Sequence, residues 1–259
     1  MEPIRTLAIL QARTSSTRLP GKVLKEVQGK PMLLHQIDRV RRSRLIDELI
    51  VATSIDPEDD RLAEILAASG TRVHRGSLDD VLDRFHGAAQ LTPSRHVVRL
   101  TGDCPLADAD VIDALVALHM VMGNDVTTNS VKPVFPDGLD VEVVTRTALD
   151  AAQAEAQAQV EREHVTQFFY RRPERFSIFH FTAPFDLSAL RWTVDEPEDF
   201  TFVREVFDAL YPDSPDFRWR DVLALLERRP ELAALNTNFV RNEGLLRSIA
   251  AEARAQQGE

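Results

Sequence analysis

Two groups of residues in this sequence have the types and spacing to do chemistry together. The first is the stretch QARTSSTRLPGK, residues 11–22, which follows the apolar run Leu7-Ala8-Ile9-Leu10. It combines hydroxyls with Arg13, Arg18 and Lys22. A strand-to-helix loop of that composition offers a phosphate backbone N–H groups, hydroxyl donors and neutralising charge. The usual phosphate loop has a glycine six residues before its lysine and Ser or Thr directly after it. Here those positions are Ser16 and Val23, and no G-x-G-x-x-G occurs. A polyphosphate would therefore be held largely through side chains, namely Arg13, Ser15, Ser16, Arg18 and Lys22. The competing reading is a solvated basic turn punctuated by Pro20-Gly21.

The second group is a pair of distant acids. Asp103 follows VVRL through Thr101-Gly102, where the glycine permits close approach and Pro105 stiffens the turn beyond. Asp195 stands at the end of RWTV in RWTVDEPEDF. Two aspartates completed by substrate phosphates and water are a common way to hold Mg²⁺, whereas no His/Cys cluster suggests zinc. A helix-capping role is the alternative for Asp103. Glu198 and Asp199 read better as favourable charge at a helix N-terminus. Cys104 reads as a small buried residue, since nothing beside it supplies a base.

Alternation of elements puts these groups together. Residues 6–12 read as a buried strand, and Pro31 opens a helix bearing Leu33, Leu34, Ile37 and Val40. That helix ends near Arg39, Arg41, Arg42 and Arg44, which are expected to be solvated. DELIVATS is a second strand, and Asp56-Pro57 starts a helix over 57–69 closed by Gly70. A short strand near 72–74 follows, then a helix to about residue 91 with Ser77 as its expected cap and Asp79 and Asp80 in its first turn. RHVVRL is a third strong strand, and a helix over 108–122 starts with Asp108 and Asp110. Such β-α alternation predicts a parallel sheet with helices on both faces and a ligand crevice beyond the carboxyl ends of the strands. The opening loop and TGDCP both fall at those ends.

The second half is less regular. VTTNS and LDVEVVT read as strands, 146–159 as a helix, RFSIFHFTA as an exposed strand and ALRWTV as a strand returning to the core. Helices are expected over 197–210 and 218–229, and from Asn236 an appended helix or partly mobile tail. The division expected is one domain over 1–235, with an insertion at about 130–185, and a tail over 236–259. Asp140 and Glu142 alternate with apolar Leu139, Val141 and Val143, as on the solvent side of a strand; a sugar or subunit contact is the alternative. Phe168, Phe169 and Tyr170 read as core or interface.

Composition narrows the classes. The formal net charge of -10 argues against a nucleic-acid binder, which needs a basic field, but leaves room for a small anionic substrate met by local cations or a metal. The single cysteine excludes an intrachain disulfide and fits a reducing compartment. The N-terminal apolar run is too short for a signal-peptide core, and no stretch approaches a membrane span. A cytoplasmic protein with no membrane partner is the expectation.

Taken together and in order, LAILQARTSSTRLPGKVL, VVRLTGDCPL, EREHVTQFF and RWTVDEPEDF resemble the cytidylyltransferases that make CMP-activated acidic sugars, over roughly residues 4–212. The resemblance is nearest to the branch of spore-coat polysaccharide biosynthesis cytidylyltransferases. It implies a Rossmann-like α/β nucleotidyltransferase fold, a three-layer sandwich with a mostly parallel central sheet and a small inserted segment through which such enzymes often dimerise. It implies CTP and an acidic sugar of the 2-ulosonic type as substrates, Mg²⁺ as cofactor and a homodimer as assembly. Residue by residue, Arg13 and Lys22 resemble the family's triphosphate-binding cations, with Ala12, Ser15, Ser16 and Arg18 in the same loop. Asp103 resembles the metal-binding aspartate of Q-G-D-x-P, flanked by Thr101 and Gly102, and Asp195 that of V-D-T-P-E-D. His164 resembles a histidine lining the sugar pocket, beside Asp140 and Glu142 as further acceptor candidates. RGSLDDVLDRF stands where the family recognises the base, which nominates Arg75, Asp80 and Arg84. Thr101 replaces the family's usual glutamine, and FPDGLDVEV departs from the octulosonate enzymes; both bear on which acceptor is used. Two readings compete. A metal-dependent glycosyltransferase typically uses a D-x-D pair, of which GDCPL keeps one aspartate. A catalytically silent nucleotide-binding protein would have had no reason to keep both aspartates, Arg13 and Lys22.

Overall fold

The computed structural model describes residues 6–257, so the outermost positions of the expected domain and tail, 1–5 and 258–259, lie outside the described residues. Nine strands are named in chain order: β1 (Thr6–Gln11), β2 (Glu26–Val27), β3 (Lys30–Pro31), β4 (Glu48–Ser54), β5 (Arg72–Gly76), β6 (His96–Thr101), β7 (Val126–Thr128), β8 (Glu142–Thr145) and β9 (Ile178–His180). The helices of the first half are α1 (Met32–Val40), α2 (Asp60–Ala68), α3 (Val81–Gln90) and α4 (Ala109–Met122). Those of the second half are α5 (Arg146–Glu155), α6 (Gln159–Glu163), α7 (Gln167–Tyr170), α8 (Pro197–Leu210), α9 (Trp219–Arg228), α10 (Pro230–Ala233) and α11 (Glu243–Gln257).

The main sheet has seven strands in the order β5-β4-β1-β6-β8-β7-β9. Only β8 runs against the rest, pairing antiparallel with both β6 and β7. Strand β1 explains why two helical layers are needed. Leu7 and Ile9 enter one core cluster with residues of α3, α5 and α7, whereas Ala8 and Leu10 enter the other with α1, α4, α8 and α9. Every position of the run is therefore apolar, as both faces of a parallel strand are covered. Each such large side chain contributes roughly 1.5–3 kcal/mol by leaving water. Phe168 and Phe169, expected in core or interface, are fully buried in the cluster under α5.

The chain winds outward from β1 through β4 to β5, then returns on the other side of β1 as β6. That reversal opens a crevice at the carboxyl ends of β1 and β6. Their register pairs Gln11 with Thr101, so the two loops leave the sheet side by side.

Several local expectations are corrected. The cap of α3 is Asp80, whose carboxylate accepts from the Asp83 N–H at 2.9 Å; the Ser77 hydroxyl instead accepts from Asp80 N–H at 3.0 Å. The helix expected over 146–159 stops at Glu155, with Ala156 in extended backbone, and resumes as α6. ALRWTV is not a sheet strand: its one bridge joins Arg191 to Asp137. Trp192 and Val194 are buried as the pattern suggested, but the segment hydrogen-bonds to loops, with Val194 N–H on the Asp103 carbonyl at 2.8 Å. Arg39 is not solvated. It is 4% exposed, donates to the Ala107 and Phe217 carbonyls at 2.8 and 2.9 Å, and lies over the Phe217 ring. Burial lowers its pKa to about 10, and the contacts fix the turn that follows Asp103.

Candidate active site

The opening loop is closed on itself before anything binds to it. The Thr14 carbonyl accepts from both Ser16 and Gly21 N–H groups, at 2.8 and 3.0 Å, and Gly21 adopts φ +66°, which favours glycine. Asp59, 1% exposed and unsuspected from the sequence, ties the loop to the end of β4. It accepts from Thr14 N–H and hydroxyl at 2.7 Å each, and from the N–H and hydroxyl of Ser54. Burial would push its pKa up, but those four donors outweigh it and the net direction is down. Asp56-Pro57-Glu58-Asp59 was legible as a helix start; that its last acid reaches back 45 residues was not.

Asp103 and Asp195 converge, as the spacing could only suggest. The Lys22 ammonium lies 3.4 Å from Asp103 Oδ2 and 2.7 Å from Asp195 Oδ1, and donates to the Val194 carbonyl at 2.7 Å. Burial works to lower the lysine's pKa, but the two carboxylates outweigh it and the net direction is up. Asp103 moves the opposite way for the same reason: burial opposes its charge, while Lys22 and hydrogen bonds involving Thr101 and Cys104 bring its pKa down. Burial and the neighbouring Asp103 charge push the Cys104 thiol well up, consistent with an inert packed residue. Gly102 is required where it stands, since a Cβ there would meet Ala12 Cβ at 2.7 Å.

Asp195 is positioned by a buried network that the sequence did not reveal. Asp199 is fully buried and receives Arg191 through Nε and Nη2, both at 2.9 Å. It also accepts from the N–H groups of Asp195 and Glu196 at 2.9 and 3.0 Å, and from the Asn236 amide at 2.8 Å. Asp199 is thus more than charge at the start of α8: it shapes the turn that presents Asp195. Arg191 also reaches Asp137 at 3.0 Å.

Two cavities meet at these acids. The loop-side cavity, about 510 Å³, is lined by Ala12, Arg13, Ser15, Ser16, Arg18, Lys22, Arg84, Gly102 and Asp79, among others. The insertion-side cavity, about 490 Å³, is lined by Arg99, Ser130, Asp137, Asp140, Glu142, Gln167 and Tyr170. Gln11, Arg18, Thr101, Asp103, His164 and Asp195 border both. The Ser15 hydroxyl and Arg84 Nε are buried without a hydrogen-bond partner, both on loop-side wall residues. Burial brings Arg84 down to about 10.

Arg75 and Asp80 border neither cavity. Arg75 donates to the Ser54 and Asp56 carbonyls and pairs with Asp60 at 2.7 Å, and Asp80, besides capping α3, pairs with Arg162 at 2.6 Å. Both charges are committed to holding loops. Asp140 and Glu142 do not lie on a solvent side. Glu142, 3% exposed, is gripped by Arg99 and the Tyr170 hydroxyl, and Asp140 by Arg241. Asp137, beside them, has its pKa raised to about 7 by burial first and by the nearby Asp140 charge. His164 bonds the Ser248 hydroxyl at 3.0 Å, and burial lowers its pKa.

The carboxylates also bear on a metal. Among the described residues no three His, Cys, Asp or Glu side chains gather as a complete cage. Asp103 and Asp195 nevertheless already share one cation, the Lys22 ammonium. Two hard oxygen donors at the junction, with the remaining positions open to phosphate and water, suit Mg²⁺ and not a thiolate-type site.

The chain is 33% identical over 234 residues to the spore coat polysaccharide biosynthesis protein SpsF of Bacillus subtilis, covering 88% of this chain and 96% of that one. A 3-deoxy-manno-octulosonate cytidylyltransferase of Geobacter sulfurreducens is 39% identical over 112 residues, 42% of this chain and 43% of its own. The solved structure of a cytidylyltransferase from Leptospira borgpetersenii serovar Hardjo-bovis superposes with a TM-score of 0.85 at 28% identity, over 92% of this chain and 99% of that one. The sequence profile described as Cytidylyltransferase matches residues 7–235, and the chain belongs to that family.

Proposed function

We propose that this nucleotidyltransferase moves CMP from CTP to the anomeric hydroxyl of an acidic sugar, releasing pyrophosphate for glycan synthesis. The observation that carries the reading is the junction itself: one loop of cations and hydroxyls and two acids from separate loops meet where two cavities open into each other. CTP would take the loop side, with its phosphates on Arg13, Ser15, Ser16, Arg18 and Lys22 and its base toward Arg84. The acceptor would take the insertion side, where Asp140, Glu142, Tyr170 and His164 can read hydroxyls and Arg99 can meet a carboxylate. The named relatives that act on 3-deoxy-manno-octulosonate support an acid as acceptor.

In the reaction, the acceptor oxygen forms a bond to the α-phosphorus while the bond from that phosphorus to the bridging oxygen of the β-phosphate breaks. The hydroxyl proton leaves to water, and pyrophosphate departs. Lys22 and Arg18 neutralise the leaving charge, and the fixed loop orients the triphosphate for in-line attack. Asp103 and Asp195 would hold Mg²⁺, which supplies charge neutralisation and a lower pKa for a hydroxyl bound to it.

A second reading is favoured by one observation. Asp137, Asp140, Glu142, Asp103, Asp195 and Glu243 outnumber Arg18 and Arg99 around the acceptor cavity, and both arginines already have carboxylate partners. A neutral or amino-bearing sugar would suit that lining better than a carboxylate. Incubation with CTP and Mg²⁺ against a panel of sugar acids, neutral sugars and amino sugars, with pyrophosphate as readout, tests both. Release with a ulosonic acid alone supports the first reading, and release with the others supports the second. Cleavage of a nucleotide-sugar in place of pyrophosphate release would overturn both.

A further inference from the structure

Helix α11 lies beyond residue 235, where the family match ends, yet its first turns line part of both cavities. Gly244 borders both; Asn242 and Glu243 face the insertion side, and Arg247 and Ser248 the loop side. The helix is anchored from below: Arg171 grips Glu252 at 2.6 and 3.1 Å, and the Ser248 hydroxyl donates to Glu163 at 2.9 Å. At its first turn, Glu243 receives Arg18 from the opening loop and Arg247 at 2.5 Å. One carboxylate therefore occupies two guanidinium groups that border the loop-side cavity.

From this arrangement we infer that Arg247 is a further triphosphate-binding residue, and that Glu243 is a stand-in ligand which phosphate oxygens displace from Arg18 and Arg247. The inference rests on the CTP reading above. The electrostatics run in its favour. A triphosphate carries several negative charges and bidentate acceptor oxygens, and guanidinium prefers such partners over a single half-exposed carboxylate. The Glu243 side chain keeps 34% exposure, so water screens its ion pairs and breaking them costs little. The first turn of α11 adds the positive end of a helix dipole to the same corner. Arg18 keeps Asp195 at 2.9 Å and Glu196 at 3.3 Å, so it stays oriented when Glu243 lets go.

Calorimetric titration of the full chain with CTP and Mg²⁺ tests this without an acceptor, alongside KM and kcat once one is in hand. Arg247→Ala should weaken CTP binding and raise its KM about tenfold, the loss of one charge-assisted contact, with kcat within about twofold. Arg247→Lys should recover part of that loss. Glu243→Gln should tighten CTP binding severalfold, an outcome that structural damage would not produce. Unchanged CTP affinity in Arg247→Ala, or weaker binding in Glu243→Gln, would overturn the inference while leaving the reaction standing. A wild-type chain that binds no CTP would overturn both. A thermal melt of each variant checks that α11 still docks.

Discussion

The loop-side and insertion-side cavities are nearly equal in volume, about 510 and 490 Å³, yet their charges are arranged in contrasting ways. On the loop side Arg13 is exposed, and the Ser15 hydroxyl is buried without a partner. On the insertion side each acid is clamped: Glu142 by Arg99 and Tyr170, Asp140 by Arg241, Asp137 by Arg191. Lys22, Arg18 and Arg247 on that side are paired with acids, but the exposed Arg13 and the unpartnered hydroxyl leave donors for a ligand that brings many charges. A wall of pre-paired groups suits a ligand that brings hydroxyls and asks for shape and orientation. On the proposed reading, the triphosphate and the sugar would lie side by side in these two unlike halves.

Substitutions on the two sides should separate accordingly. The largest effect is expected at the shared junction. Lys22→Ala removes the cation between Asp103 and Asp195 and should lower turnover by about 10²–10³, as loss of one electrostatic donor does elsewhere; steady-state kinetics at saturating substrates measures it. Next, Glu142→Gln keeps the shape but weakens the grip of Arg99 and Tyr170. The acceptor KM should rise about tenfold while the CTP KM stays put, and a change in the CTP KM alone would reverse the assignment of the cavities. The smallest effect concerns pH. Asp137 titrates near 7 in the folded chain against about 4 when unfolded. The folded state therefore binds its proton more tightly, and this group's contribution to stability falls as pH rises from about 4 to about 7. Asp137→Asn should remove that component, so that thermal melts of variant and wild type diverge with rising pH across that window. Parallel curves would place the carboxyl's titration elsewhere.

Much of the loop side was legible in the sequence, and the reason is local. Leu7 to Leu10, His96 to Leu100 and their flanking turns are short-range signals, and the alternation of strand and helix forces their loops to one edge of the sheet. The insertion side was harder because its elements take their form from distant partners. RWTV has the alternation of a strand, and Trp192 and Val194 are buried as it implies, but its backbone bonds go to the Asp103 and Asp137 carbonyls. Asp59 and Asp199 look like ordinary helix-start acids, and their chain-crossing roles depend on what folds over them. Arg39 sits in a basic run that reads as solvated, yet it faces Phe217 from a segment 178 residues away. No periodicity encodes such meetings.

The pairing of Gln11 with Thr101 has a consequence for tolerance to change. Both loops start from the same rung of the ladder, so the spacing of Arg13 and Lys22 from Asp103 is measured out by the alignment of two strands. Sliding β6 along β1 by one residue would turn every core side chain on it to the wrong helical layer, and sliding it by two would move the acid by roughly 6–7 Å. The apolar interior thereby acts as a ruler for the chemistry, and substitutions that loosen it should blur the reach of the site before they unfold the protein.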